Sequence, residues 1–140
     1  MEEEVRKRLR EGWIKSWMMI EVLAVAEGAA RSSLEKHIES LEKEKRCLVY
    51  KKSFHEIKKV QNPLPKVPEG YSYVCELELL AYNFNQLFLI VLNYAPSAIE
   101  ILSPENIKMD MGEAQGILNS LADILHRFAA MGIGGVIIKS

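Results

Sequence analysis

The amino-acid sequence predicts an α+β fold: a four-stranded antiparallel sheet, two crossover helices on one of its faces, and a helix at each end. Three observations carry this. Residues 71–81 alternate apolar and polar side chains in the period of a strand. Ser32 with Glu35, and Asn83 with Gln86, form cap patterns that open helices. Three of the five prolines and a glycine gather in residues 61–70, QNPLPKVPEG, which marks a loop.

Taken in order, residues 2–11 read as a helix. Glu2–Arg6, Glu3–Lys7 and Glu4–Arg8 are i,i+4 pairs with the acid first, the favourable order. Val5 and Leu9 give it a thin apolar stripe, and Gly12 ends it. Residues 13–26 fit two patterns. As a strand, Ile14, Met18, Ile20, Val22, Ala24 and Ala26 share an apolar face interrupted by Ser16; as a helix, Trp13, Trp17, Ile20 and Ala24 line up. The strand is preferred. A helix follows from Ser32 to about Lys45, with Leu34, Ile38 and Leu41 inward. Residues 47–60 form a strand whose alternation stumbles at Lys51-Lys52, where a bulge is expected.

After the 61–70 loop, Tyr71, Tyr73, Cys75, Leu77 and Leu79 alternate along the third strand. The helix from Asn83 is apolar nearly all round and is expected to be deeply packed; Pro96 ends it. Ile99 and Ile101 mark a short strand, closed by Pro104. A last helix over 112–131 carries Ile117, Leu121, Ile124, Leu125 and Phe128 on its inner stripe. The tail, 132–140, has flexible glycines and room for a short edge strand. After the first helix the order is β-α-β-β-α-β, the ferredoxin-like pattern, over residues 13–103 of one 140-residue domain.

Hydrophobic residues make up 49% and charged residues 26%, with a net charge of −1, so nothing in the overall charge draws the chain to nucleic acid or an anionic membrane. Cys47 and Cys75 stand in no metal-binding spacing, which points to free thiols in a reducing cytoplasm. No apolar run is long enough to cross a membrane. The run WMMIEVLAVA is broken by Glu21 and follows a neutral segment, so it does not read as a secretion signal.

The stretch YAPSAIEILSPE, with the capped helix before it and a helix bearing Asn119 and His126 after it, resembles a family of uncharacterised archaeal proteins with an α/β-plait, ferredoxin-like fold and a PSxxEILxPE-type strand motif. WMMIEVLA and VCELEL extend the resemblance over roughly residues 13 to 130, and it supports the strand reading of the first of these. It implies a fold and no activity. Around Ala24 to Ala30 the family pattern would have a Gly-Lys-Pro-type turn, and AVAEGAA stands there instead.

If the crossover helices cover Ile20, Val22, Leu77, Ile99 and Ile101, then Glu21, Glu76, Glu78 and Glu100 face the other way. With the first strand between the third and fourth, Glu21 is expected between Glu100 and a carboxylate of the third strand. Crowded carboxylates raise one another's pKa or recruit a cation, so Glu21, Glu76 and Glu100 are the candidate metal ligands and, with His126, the candidate catalytic groups. The plainer reading is a solvated sheet face, and it is preferred. Asn119, Asp123 and His126 likewise read as a solvated helix stripe, and His37 and His55 as incidental.

Trp17, Met19, Leu23, Val74, Leu80 and Leu102 share the open face, too much apolar surface for a bare monomer. A homodimer or larger homo-oligomer is therefore expected. Lys43, Lys45, Arg46, Lys51, Lys52, Lys58, Lys59 and Lys66 form a basic stretch. Glu76 and Glu78 occupy the face where bases would stack, so the stretch reads as a guarded edge and nucleic acid is not the expected partner. The glycines at 132, 134 and 135 make no phosphate-binding motif. The leading expectation is a non-catalytic module that oligomerises or holds a small ligand, without a cofactor. The alternatives are an enzyme, either metal-dependent with a divalent ion at the glutamates or acid–base, and, third, an RNA-binding module.

Overall fold

The computed structural model describes residues 1–131, so the tail expected to be flexible lies outside the described residues. It is an α+β structure with four helices and one five-stranded antiparallel sheet among the described residues. They divide into two compact units, the first ending at Asn106 and the second beginning at Ile107.

The first unit runs α1 (Glu2–Arg10), β1 (Ile14–Ala24), α2 (Glu27–Glu42), β2 (Cys47–Phe54), β3 (Lys58–Leu64), β4 (Val67–Ala81), α3 (Phe84–Tyr94) and β5 (Ala98–Ser103). The strand order is β2-β4-β1-β5, and β3 also pairs with β4. All pairs are antiparallel. The helices α2 and α3 pack on the face that buries Met18, Ile20, Cys75, Leu77 and Leu79, against Leu34, Ile38, Leu41, Leu87 and Ile90. Burying such side chains contributes about 1.5–3 kcal/mol each before chain entropy is subtracted. Ser16 sits fully buried on this face and is satisfied, because its hydroxyl donates to the Glu100 carbonyl at 3.0 Å.

Of residues 13–26, Ile14–Ala24 form a strand. The expected bulge is present as a register shift between Val49 and Lys51. Three expectations need correction. First, the sheet has five strands and not four. The strand expected over 47–60 breaks after Phe54, and the presumed loop 61–70 is a hairpin in which Leu64 pairs with Val67. Prolines are tolerated there because β3 is an edge strand. Lys66 adopts φ 66° in the turn, and Asn62 adopts φ 51° at the register shift. Gly70 is required: a Cβ there would stand 2.7 Å from Pro63 Cγ and 3.0 Å from the Ala24 carbonyl oxygen.

Second, α2 begins at Glu27 with Ala26 as its uncapped start, so Ser32 and Glu35 lie inside the helix instead of opening it. Five residues of small or helix-compatible character extend the helix beyond the serine. The Asn83 cap is as expected, its side chain accepting from the Gln86 amide at 2.9 Å. Third, α3 is not deeply packed all round. Leu87, Ile90 and Tyr94 are buried, whereas Phe84, Phe88 and Val91 are only partly covered, because among the described residues no strand lies beyond the short one beside them.

At one end of the other sheet face α1 packs against β4, and Leu80 is fully buried there. Trp13 closes this corner, edge-on to Tyr82 at 5.6 Å, with the Arg8 guanidinium 4.5 Å over its ring.

The second unit begins at Ile107 and contains α4 (Met111–Ala130). Asp110 caps it, accepting from the Glu113 amide at 2.8 Å. Of the stripe expected inward, Ile117 and Ile124 are half-buried, and Leu121, Leu125 and Phe128 are exposed. One helix offers its own stripe no second layer. No described helix is long and apolar enough to cross a membrane.

Candidate functional site

The register of four strands builds one row across the open face. Lys51 on β2 pairs with Glu78 on β4, Glu78 with Trp17 on β1, and Trp17 with Glu100 on β5. A second row runs Ser53, Glu76, Met19 and Ala98. Glu21 lies further along β1, opposite Val74 and beyond the last β5 partner, Met19. Trp17, and not Glu21, therefore stands between Glu100 and Glu78. The reason is that β5 pairs only with the first half of β1. Two strand spacings of about 4.8 Å put Glu100 on the order of 10 Å from Glu78, with an indole between them.

Glu21, Glu76 and Glu78 each keep their own partners. Glu21 accepts from the Ser72 hydroxyl. Glu76 Oε1 accepts from Trp17 Nε1 at 3.1 Å, and Glu76 Oε2 lies 2.6 Å from His55 Nε2. Glu78 Oε1 accepts from the Tyr50 hydroxyl at 2.7 Å, and Glu78 Oε2 lies 3.6 Å from Lys51 Nζ. Burial, and then the hydrogen bond and charge of Glu78, push the Tyr50 phenol well above its ordinary range, so Tyr50 stays a donor. The Glu100 side chain is exposed and has no hydrogen bond or ion pair among the described residues. No group of three or more His, Cys, Asp or Glu among the described residues is arranged to hold a metal ion.

A cleft of about 310 Å3 opens along these rows, lined by Trp17, Lys51, Ser53, Glu76, Leu77 and Glu78. His55, read from sequence as incidental, reaches its edge through Glu76. It sits just past the end of β2, with its amide on the Val74 carbonyl at 2.9 Å. Only the β2–β4 register could have brought it there. His37 is also engaged, its Nε2 2.9 Å from the Tyr94 carbonyl oxygen. His126 lies exposed on α4 in the second unit, one residue from the Asp123–Arg127 pair.

The two cysteines are free thiols at opposite ends of the β2–β4 ladder, where Cys47 pairs with Ala81 and Cys75 with Phe54. Burial, then the charge of Glu44, pushes the Cys47 thiol up to about 12. Burial also raises Cys75. Both are therefore poor nucleophiles.

A second surface lies at the far edge of the sheet. An apolar groove of about 430 Å3 runs between α3 and β5, lined by Phe84, Leu87, Phe88, Val91, Ile99 and Ile101. Ile99, Ile101 and Leu102 are 41%, 40% and 43% exposed.

A family model described as the MJ0538 family matches residues 15–139, and the chain belongs to that family. No curated protein matches it.

Proposed function

We propose that this member of the MJ0538 family is a non-catalytic module that self-associates through the β5 edge of its sheet. The observation that carries the reading is a strand at the edge of the sheet among the described residues, AIEILS, with exposed isoleucines, no lysine, and an apolar groove beside it. An edge strand can pair antiparallel with its own copy across a two-fold axis. Ile99 and Ile101 of each copy would then cover the other's groove, and the ladder would satisfy the outward amides and carbonyls of β5. We read the core as ferredoxin-like, because β1-α2-β2-β4-α3-β5 with the order β2-β4-β1-β5 matches the split βαβ arrangement once β3 is treated as an insertion. Free thiols suit a reducing cytoplasm. The archaeal assignment rests on the sequence resemblance.

An acid–base enzyme is the rival reading, and the His55–Glu76 contact is the observation in its favour. A shared metal among Glu21, Glu76 and Glu100 is disfavoured by the separate partners of Glu21 and Glu76 and by the indole of Trp17 between Glu100 and β4. RNA binding is disfavoured because Lys51, Lys52 and Lys59 pair with Glu78, Glu42 and Glu69. Sedimentation velocity over a concentration series tests the proposal. A concentration-dependent dimer or larger species is expected, and a monomer throughout would end it.

A further inference from the structure

We propose that α4 forms an antiparallel helix pair with α4 of a second copy of this chain. Met111, Ala114, Leu118, Leu121, Leu125 and Phe128 recur along it at alternating spacings of three and four residues. That alternation is the seam of a coiled coil, narrower and more regular than the stripe a helix turns to a globular core. Five of the six are exposed, from 38% for Leu121 to 85% for Met111. The half-buried Ile117 and Ile124 lie beside this seam and not on it.

Three observations favour a second copy as the occupant. The first is self-complementarity. A two-fold axis between Asn119 and Ser120 sets Leu118 against Leu121, Ala114 against Leu125 and Met111 against Phe128, so every seam residue meets a seam residue of the other copy. The second is charge. Asp110 and Glu113 stand at the N-terminal end of α4, His126 and Arg127 near its C-terminal end. The same axis lays Glu113 beside His126 and Arg127 of the other copy, whereas parallel pairing would set Glu113 against Glu113 and Arg127 against Arg127. Within α4 no position flanking the seam carries a charge, so nothing there repels a copy. The third is area. The exposed seam offers on the order of 500 Å2, so the pair would bury about 1,000 Å2, the low end for a specific contact. An anionic membrane is a poorer fit, because the polar side of α4 is not rich in lysine and arginine.

This contact goes beyond the β5 edge. The helix belongs to the second unit and β5 to the first, so either contact can form without the other. The α4 pair is expected to be the weaker, since it lacks the backbone hydrogen bonds of a strand ladder. Together the two would link dimers into larger species.

The test is disulfide trapping in the full chain. Met111→Cys and Phe128→Cys chains are mixed and mildly oxidised, and peptide masses separate each product from any bridge to Cys47 or Cys75. The mixed 111–128 bridge is expected to exceed either like-with-like bridge by about tenfold or more, because like positions in an antiparallel pair stand about 25 Å apart. Repeating the trapping with Ile99→Lys and Ile101→Lys in both chains should leave the mixed product, which separates this contact from the β5 edge. Adding Leu118→Glu to both should reduce it by about tenfold or more, with circular dichroism to show that the chain remains folded. An excess of like-with-like bridges would mean parallel pairing. No bridge at either position would leave the seam to another occupant: a different protein, a lipid surface or the chain's own residues 132–140. Either result would overturn the proposal. A mixed product that Leu118→Glu leaves unchanged, or that vanishes in the β5 variant, would overturn it too.

Discussion

Among the described residues the sheet ends in lysines along β2 and β3 and in isoleucines along β5. On the first side, Lys51, Lys52, Lys58 and Lys59 line the edge, and three of them reach carboxylates: Lys51 to Glu78, Lys52 to Glu42 at 3.0 Å, and Lys59 to Glu69 at 3.2 Å. Lysines and prolines on an edge prevent another strand from adding to it. On the second side β5 carries neither, and its aliphatic side chains open onto a groove. A chain that guarded both edges would stay alone. Guarding one and leaving the other apolar directs association to a single place, and that asymmetry is the basis of the proposed function.

The largest effect is expected from making the two edges alike. Ile99→Lys with Ile101→Lys puts charge on β5 and should weaken self-association by roughly thirtyfold or more, about 2 kcal/mol. Sedimentation equilibrium reads this, with circular dichroism to show that the variant remains folded. Dissociation constants within a factor of two of the wild type would break the comparison.

A smaller effect is expected on the guarded side, in stability and not in association. Gly70→Ala forces a methyl group against Pro63 and the Ala24 carbonyl oxygen. It should cost on the order of 1–3 kcal/mol in urea unfolding, and the association constant should not change. A neutral result would mean that the β3–β4 hairpin is looser than its close contacts imply.

Alkali is expected to lower stability. Cys47 ionises near 9.0 when unfolded and near 12 when folded, so its contribution to stability is complete below about pH 9 and is lost as pH rises toward 12. Tyr50, on the same strand and also raised, acts with the same sign. Stability should therefore fall as pH rises above about 9, with the raised Tyr94 phenol on α3 acting in the same direction, and Cys47 should resist alkylation near neutral pH. Rapid alkylation of Cys47 at pH 8 would contradict this.

What the sequence made legible follows the strength of local patterns. The alternation in VCELELLA and the Asn83 cap belong to residues close in the chain, so β4 and α3 could be read directly. The face assignment of Glu21, Glu76, Glu78 and Glu100 also followed from strand parity. The hairpin at 58–81 was hidden because proline normally signals a loop, and only an edge position reconciles it with a strand. The site was less legible still. Which residue separates Glu100 from Glu78 depends on where β5 stops along β1, and strand parity leaves that register open. His55 gained a role only through pairing with a strand about twenty residues away. Ile99 and Ile101 face the helix side as expected, yet stay exposed because nothing among the described residues follows β5 at the sheet edge.

The smallest effects are expected from the lysines one at a time. Lys52→Ala or Lys59→Ala removes a partly exposed ion pair and should change stability by less than about 1 kcal/mol. The pair-by-pair effect is small because both partners are partly exposed to solvent. Replacing Lys51, Lys52, Lys58 and Lys59 together with threonine should create a second sticky edge, visible as larger species in the same sedimentation experiment.

The most direct measurement is hydrogen–deuterium exchange of the wild-type chain at concentrations above and below its association constant. The account predicts that concentration slows exchange in peptides covering Ala98–Ser103 and leaves Cys47–Leu64 unchanged. Protection that appears on the lysine edge, or on neither edge, would contradict it.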